Sequence, residues 1–150
     1  MRLTEVGFYH LLSMPLERAL PKLIERVWTQ GHRVLVRAGS AERVEHLDVL
    51  LWTYEEASFL PHGSEREGNA VAQPIWLTHD DKNPNGASIL VLVDGVEAED
   101  LASFARCADL FDGNDPDAVD AARGRWRRAR QAGHNLTYWQ QTRSGWEKKS

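Results

Sequence analysis

The chain has 150 residues, a formal charge of −4, six Trp and a single Cys, with 42% hydrophobic and 27% charged residues. At that length roughly two thirds of the unfolded surface can be buried, so one domain with a core needs no disulfide or metal staple. Lone Cys107 excludes an intrachain disulfide and suits a reducing cytoplasm, and a sequence pI near 5.8 argues against a surface that coats nucleic acid throughout while leaving room for a local basic patch.

The opening stretch MRLTEVGFYHLLSMPLERAL carries charges throughout and lacks the apolar region of a signal peptide. No apolar run approaches the roughly 18 residues of a membrane span. The β-formers of Thr4 to Leu11 predict a first strand. Ser13 ahead of Pro15 predicts the cap of a helix whose stripe is Leu16, Leu20, Leu23, Ile24 and Val27. Pro21 inside that stripe predicts a late start or a kink, and Gly31 a C-terminal stop. RVLVRA, residues 33–38, reads as a buried strand. Ser40 then caps a second helix with Val44, Leu47, Leu50 and Leu51 inward. Strand, helix, strand, helix predicts a parallel sheet with right-handed crossovers. SFLPHG and IWLT read as short extended pieces separated by the polar loop Ser64 to Ala72, and HDDKNPNGA as a turn-rich loop. SILVLVDG, with five large aliphatics in a row, predicts a central strand buried on both faces. A short helix around Glu99 to Phe104, an extended ADLFDG, and a helix from Asp115 or Asp117 to near Gly133 follow. NLTYWQQ reads as a last extended segment, and the lysine-rich end, from about residue 143 to 150, is expected to fray. The expected whole is one α/β domain over residues 1–150, a mostly parallel sheet flanked by helices.

Motifs for chemistry are sparse. Neither G-x-G-x-x-G nor G-x-x-x-x-G-K-[ST] occurs. AGSAER joins a strand to a helix, and an ordinary turn and cap accounts for it. His10, His32, His46, His62, His79 and His134 include no pair spaced as two ligands on one helical face. There is no G-x-S-x-G elbow, and Cys107 in FARCADLF has the apolar surround of an inert thiol. Asp80 and Asp81 fall in a solvated turn. No cofactor, metal or catalytic residue is expected. Trp52, Tyr54, Phe59 and Leu60, across a helix end and the next loop, read either as core packing or as the aromatic anchors of a protein interface.

ARGRWRRARQAGHNLTYW is the most distinctive stretch, with five arginines between Arg123 and Arg130 around Trp126. On a wheel of 100° per residue with Arg123 at zero, Arg127 falls at about 40°, Arg130 at about 340° and Trp126 at about 300°. Ala118, Ala121, Ala122, Ala129 and Ala132 fall at roughly 160–260°, a small-residue face that can lie close to a sheet. Arg125, near 200°, interrupts that face, and either it snorkels past the packed edge or the buried face is shifted. Guanidinium groups beside an indole suit an acidic peptide with a hydrophobic end. They also suit single-stranded DNA, by phosphate contact and base stacking. A plain solvated face, with Asp120 pairing Arg123, is the bland alternative.

GHRVLVRA, LDVLLWTYEEASFLPH, ILVLVDG, FARCADLFDG and RGRWRRARQAGHNLTYW together resemble the chi subunit of the bacterial DNA polymerase III holoenzyme, from FYHL to about Trp139. The specific features are LW followed by SFLPH seven residues on, and R-x-x-W/Y-[KR]-x-x-R-x-AG. The resemblance implies a noncatalytic accessory subunit with a Rossmann-like fold that lacks the nucleotide fingerprint. It implies two partners: the psi subunit of the clamp loader, and the acidic C-terminal tail of single-stranded DNA-binding protein, which ends in Ile-Pro-Phe. Nucleic acid is then met only indirectly. Arg123, Trp126 and Arg127 match the tail-binding positions and Arg130 an outer contact. Trp52, Phe59, Leu60 and Pro61 match the psi-facing surface. Where some members carry a lysine one turn earlier, this chain has Val119, which implies a weaker grip upstream. The reading from residues alone keeps direct single-stranded DNA binding by the same arginine face as the alternative, and a nucleotide-dependent enzyme has only fold analogy behind it.

Overall fold

The computed structural model describes residues 4–54, 60–66 and 68–149. Eight strands form one sheet: β1 (Glu5–Leu11), β2 (Val34–Arg37), β3 (His62–Ser64), β4 (Ile75–Thr78), β5 (Ile89–Leu92), β6 (Arg106–Asp112), β7 (Asn135–Thr142) and β8 (Gly145–Lys148). Their spatial order is β3-β4-β2-β5-β6-β1-β7-β8. Every neighbouring pair is parallel except the β7–β8 hairpin. Three helices flank the sheet: α1 (Leu16–Thr29), α2 (Ala41–Thr53) and α3 (Pro116–Gln131). This is the mostly parallel α/β sheet expected from the strand–helix alternation, in the Rossmann-like form that the resemblance implies.

The two sheet faces carry two cores. Val34, Val36, Ile89, Val91, Ala108 and Leu110 point towards α1 and α2. Leu35, Leu90, Cys107, Phe111, Val6 and Phe8 point the other way, towards α3 and the segment through Phe104. That alternation follows from the period of two along a strand. The central strands β2 and β5 are buried along their whole length, as SILVLVDG and RVLVRA predict.

Local signals act largely as anticipated. Ser40 Oγ accepts the Arg43 amide at the start of α2, and Asp115 accepts the Asp117 amide at the start of α3. Gly31 and Gly133 follow α1 and α3 with φ of +90° and +88°, the left-handed conformation that a residue with a Cβ rarely adopts. The start of α1 differs. Its cap position is Pro15, without a side-chain hydrogen bond, rather than Ser13, and the helix runs on through buried Pro21. Proline there removes only the bond that residue 21 would make to Glu17, one of many in the helix.

The frayed end expected from about residue 143 is instead an ordered hairpin. β8 pairs with β7 from Trp139↔Lys148 to Thr142↔Gly145, and the Trp146 ring meets Tyr9 edge-on at 5.3 Å. A partly buried aromatic contact outweighs the solvation of the flanking lysines. Among the described residues no helix is long and apolar enough to cross a membrane, and no group of three or more His, Cys, Asp or Glu could hold a metal ion.

Candidate functional site: the outer face of the arginine helix

Helix α3 crosses β1, β6 and β7. Ala122, Arg125 and Ala129 are its buried residues, Ala118 is half-buried, and Ala121 and Ala132 are exposed. The buried face is therefore narrower than the five alanines suggest and is centred near Arg125. Arg125 does not snorkel. It is 7% exposed and grips Asp109 of β6 through two hydrogen bonds of 2.6 and 3.0 Å. Burial pushes the Asp109 carboxyl up, and the Arg125 hydrogen bonds and charge oppose that shift. The inner arginine is a structural ion pair.

The remaining arginines sort by partner. Arg128 pairs with Glu97 at the surface. Arg123 lies 3.7 Å from Asp120, one turn back, with both side chains largely in solvent, a pairing worth little. Arg127 and Arg130 are exposed, and among the described residues neither has a carboxylate within ion-pair reach.

Trp126 does not share the solvated arginine face in full. It is half-buried at the border, edge-on to Phe8 at 5.3 Å and to Tyr138 of β7 at 5.9 Å. With Val119, Ala122, Arg123 and Tyr138 it lines a shallow pocket of about 210 Å³. Arg123 is the one charged residue in that lining, and the rest is aliphatic or aromatic. Tyr138 is held from behind: its hydroxyl lies 2.5 Å from His10 Nδ1, and its ring packs on Phe111. Burial raises the Tyr138 pKa against the pull of Arg123. His10 is lowered, first by burial and then by Arg123, with the Gly113 backbone and Asp112 opposing. The pocket is therefore biased towards anions and kept neutral beneath. Sequence reading missed Tyr138 and His10. Alternation along NLTYWQQ and TEVGFYHL could have placed both on the α3 side.

The second group of predicted residues lies elsewhere on the molecule. Trp52, at the end of α2, is half-exposed and its ring lies 4.6 Å from that of His62. Leu60 is 1% exposed and belongs to the α1–α2 core, so its side chain is turned away from solvent. Pro61 is half-buried. Phe59 lies outside the described residues. Cys107 is buried, as its apolar surround suggests, and burial holds its thiol well above the usual range.

Residues 3–137 match the family described as DNA polymerase III chi subunit, HolC. A "Probable DNA polymerase III subunit chi" of Rickettsia prowazekii (strain Madrid E) is 31% identical over 107 residues, 71% of this chain and 65% of the relative's length. The DNA polymerase III subunit chi of Pseudomonas aeruginosa is 28% identical over 89% of this chain and 94% of its own. That of Escherichia coli (strain K12) is 26% identical over 80% and 82%. The chain belongs to the DNA polymerase III chi subunit family, the replication accessory subunits of that polymerase.

Proposed function

We propose that this chain tethers the clamp-loader assembly of DNA polymerase III to single-stranded DNA-binding protein by gripping that protein's acidic C-terminal tail, works in the cytoplasm, and takes no catalytic part itself. The observation that carries this reading is the pocket beside Trp126, where an apolar lining meets the Arg123 side chain. A terminal Phe ring fits against Val119, Trp126 and Tyr138. Its carboxylate then faces Arg123, and the tail's acidic residues face Arg127 and Arg130, whose charges have no carboxylate of their own among the described residues. Val119 widens the apolar wall at the expense of one cation. Many tails on one coated DNA strand raise the local concentration of partners, so a modest single contact suffices. The patch around Trp52, Phe59 and Pro61, with Leu60 anchoring the segment from beneath, is the surface proposed for the psi subunit.

The test is fluorescence anisotropy of a labelled tail peptide against the full chain. The peptide is expected to bind, to lose affinity when its terminal Phe is deleted, and to weaken on Trp126→Ala or Arg123→Ala. A peptide that fails to bind, or binds equally well to both variants, overturns the tail assignment. Oligothymidine binding abolished by the same two variants favours the alternative, in which this face meets DNA directly. Phe59→Ala is expected to reduce co-purification with psi and to leave tail affinity within about twofold. Undiminished co-purification removes the psi assignment.

A further inference from the structure

The opposite face of the sheet, away from α3, carries a second meeting of cations and aromatic rings. The helices on this face make their main contacts with β2, β3, β4 and β6. The outer strands β7 and β8 therefore present Trp139 and Trp146 beyond the edge of α1. Trp139 and Trp146 share this face with Tyr9. Tyr9 and Trp139 are cross-strand neighbours on β1 and β7, with rings 9° from parallel and 6.5 Å apart. Trp146 closes the group edge-on to Tyr9 at 5.3 Å. All three are partly exposed. The Trp139 indole N–H is held by Thr137 Oγ1 at 3.1 Å, which fixes the ring along its own strand. Lys148 stands directly opposite Trp139 across the hairpin.

Beside the rings runs a row of cations. Arg18, Lys22 and Arg26 are spaced i, i+4, i+8 on α1, so they lie on one side of the helix at intervals of about 6 Å along its axis. All three are exposed, and among the described residues none has a carboxylate within ion-pair distance. Lys22 and Arg26 meet Tyr9 and Trp146 at a notch of about 110 Å³. The acidic groups nearby are already engaged. Glu25 accepts the Tyr54 hydroxyl at 2.6 Å, and Glu5 lies 3.9 Å from Arg106.

We propose that this face, with Arg18, Lys22 and Arg26 of α1 beside Tyr9, Trp139 and Trp146, is a binding platform for single-stranded nucleic acid. A strand is a polyanion of regular repeat carrying flat rings on the same side. A regular row of unneutralised cations matches the first property, and pinned, partly exposed aromatic rings match the second. An acidic peptide would use the cations but has little use for three clustered rings, and the notch is about half the size of the pocket beside Trp126. The platform lies across the sheet from the tail pocket, so both can be occupied together.

The test is anisotropy of a labelled oligothymidine and a labelled duplex of equal length against the full chain at two or more salt concentrations. The wild-type chain is expected to bind the single strand in preference to the duplex, with a slope of log affinity on log salt of about 2 in magnitude if all three cations meet phosphates. The exposed charge reversals Arg18→Glu, Lys22→Glu and Arg26→Glu, made together, are expected to weaken oligothymidine at least tenfold and to leave the tail peptide within about twofold. Trp139→Ala is expected to weaken it severalfold, with circular dichroism confirming that the hairpin holds. Arg127→Ala with Arg130→Ala is expected to leave it unchanged. Three results overturn the proposal: no single-strand binding by the wild type, binding that survives the triple reversal, or a triple reversal that abolishes tail-peptide binding instead. The last would make this face a peptide site.

Discussion

The inside and the outside of α3 use the same residue for opposite ends. Arg125 and, on the same face of the sheet in β2, Arg37 are buried and held by carboxylates. Arg37 makes two hydrogen bonds to Asp100 at 2.7 and 2.9 Å, reaches the backbone carbonyls of Asp81 and Lys82, and lies 5.6 Å from the centre of the Phe104 ring. Arg127 and Arg130, two and five residues beyond Arg125, stand in solvent with no such partner among the described residues. A buried guanidinium without a counter-charge is too costly to keep, so inner arginines are matched within the fold. An exposed one costs little to leave open, so outer arginines can wait for a ligand. A cluster of arginines is therefore not a site until its members are sorted by partner.

Removing the inner partner should have the largest effect. Asp109→Ala leaves Arg125 buried without compensation and is expected to cost about 3–5 kcal/mol of stability in urea unfolding. Replacing the pair together, Arg125→Met with Asp109→Leu, should recover most of that loss. If the single substitution proves as mild as the double, the inner arginine is not the structural tie described above. Arg123→Ala should do the reverse, weakening tail-peptide binding by about 1–3 kcal/mol in calorimetric titration while moving stability by no more than about 0.5 kcal/mol.

Acid should sharpen the contrast further. The Arg37 hydrogen bonds hold the Asp100 carboxyl below its usual range, against the opposing effect of burial. Because the folded pKa is the lower one, the associated stability is fully present above about pH 4, the ordinary aspartate value. It is lost as pH falls through the depressed folded value. Asp100→Asn should flatten the decline of melting temperature over that acid window, and an unchanged decline would remove Arg37 as its cause. The smallest effect is expected at the surface pair. Arg128→Ala should change stability by less than about 0.5 kcal/mol, because both Arg128 and Glu97 are more than half exposed.

What the sequence conceals follows from the same contrast. Caps and stops depend on neighbours within four residues, so Ser40, Asp115, Gly31 and Gly133 could be read directly. The aliphatic runs of β2 and β5 announce burial on both faces without reference to any other part of the chain. Arg125 could be placed on the inner side of α3 by its wheel angle, but its partner is sixteen residues upstream on a strand, a pairing no local pattern encodes. Arg37 is hidden likewise by Asp100, sixty-three residues away. The closing hairpin was obscured because lysine content suggests solvent, whereas Trp146 decides the packing. Trp126 and Arg123 stood out in the sequence, but the Tyr138 wall of their pocket required knowing that β7 lies beside β1.

That last adjacency shapes how the molecule is made. The first strand sits between β6 and β7, with Glu5 opposite Arg106 on one side and Asn135 on the other. Of the described strands it is made first, and it finds its neighbours late. At about 5–20 residues per second, the 130 residues from Glu5 to Asn135 take on the order of ten seconds to appear. Until β6 and then β7 appear, the strand through Val6 and Phe8, both buried in the finished sheet, awaits its partners. Folding cannot proceed vectorially from the N-terminus. The sheet closes only when β7 arrives, and the wall of the pocket beside Trp126 is completed in the same step.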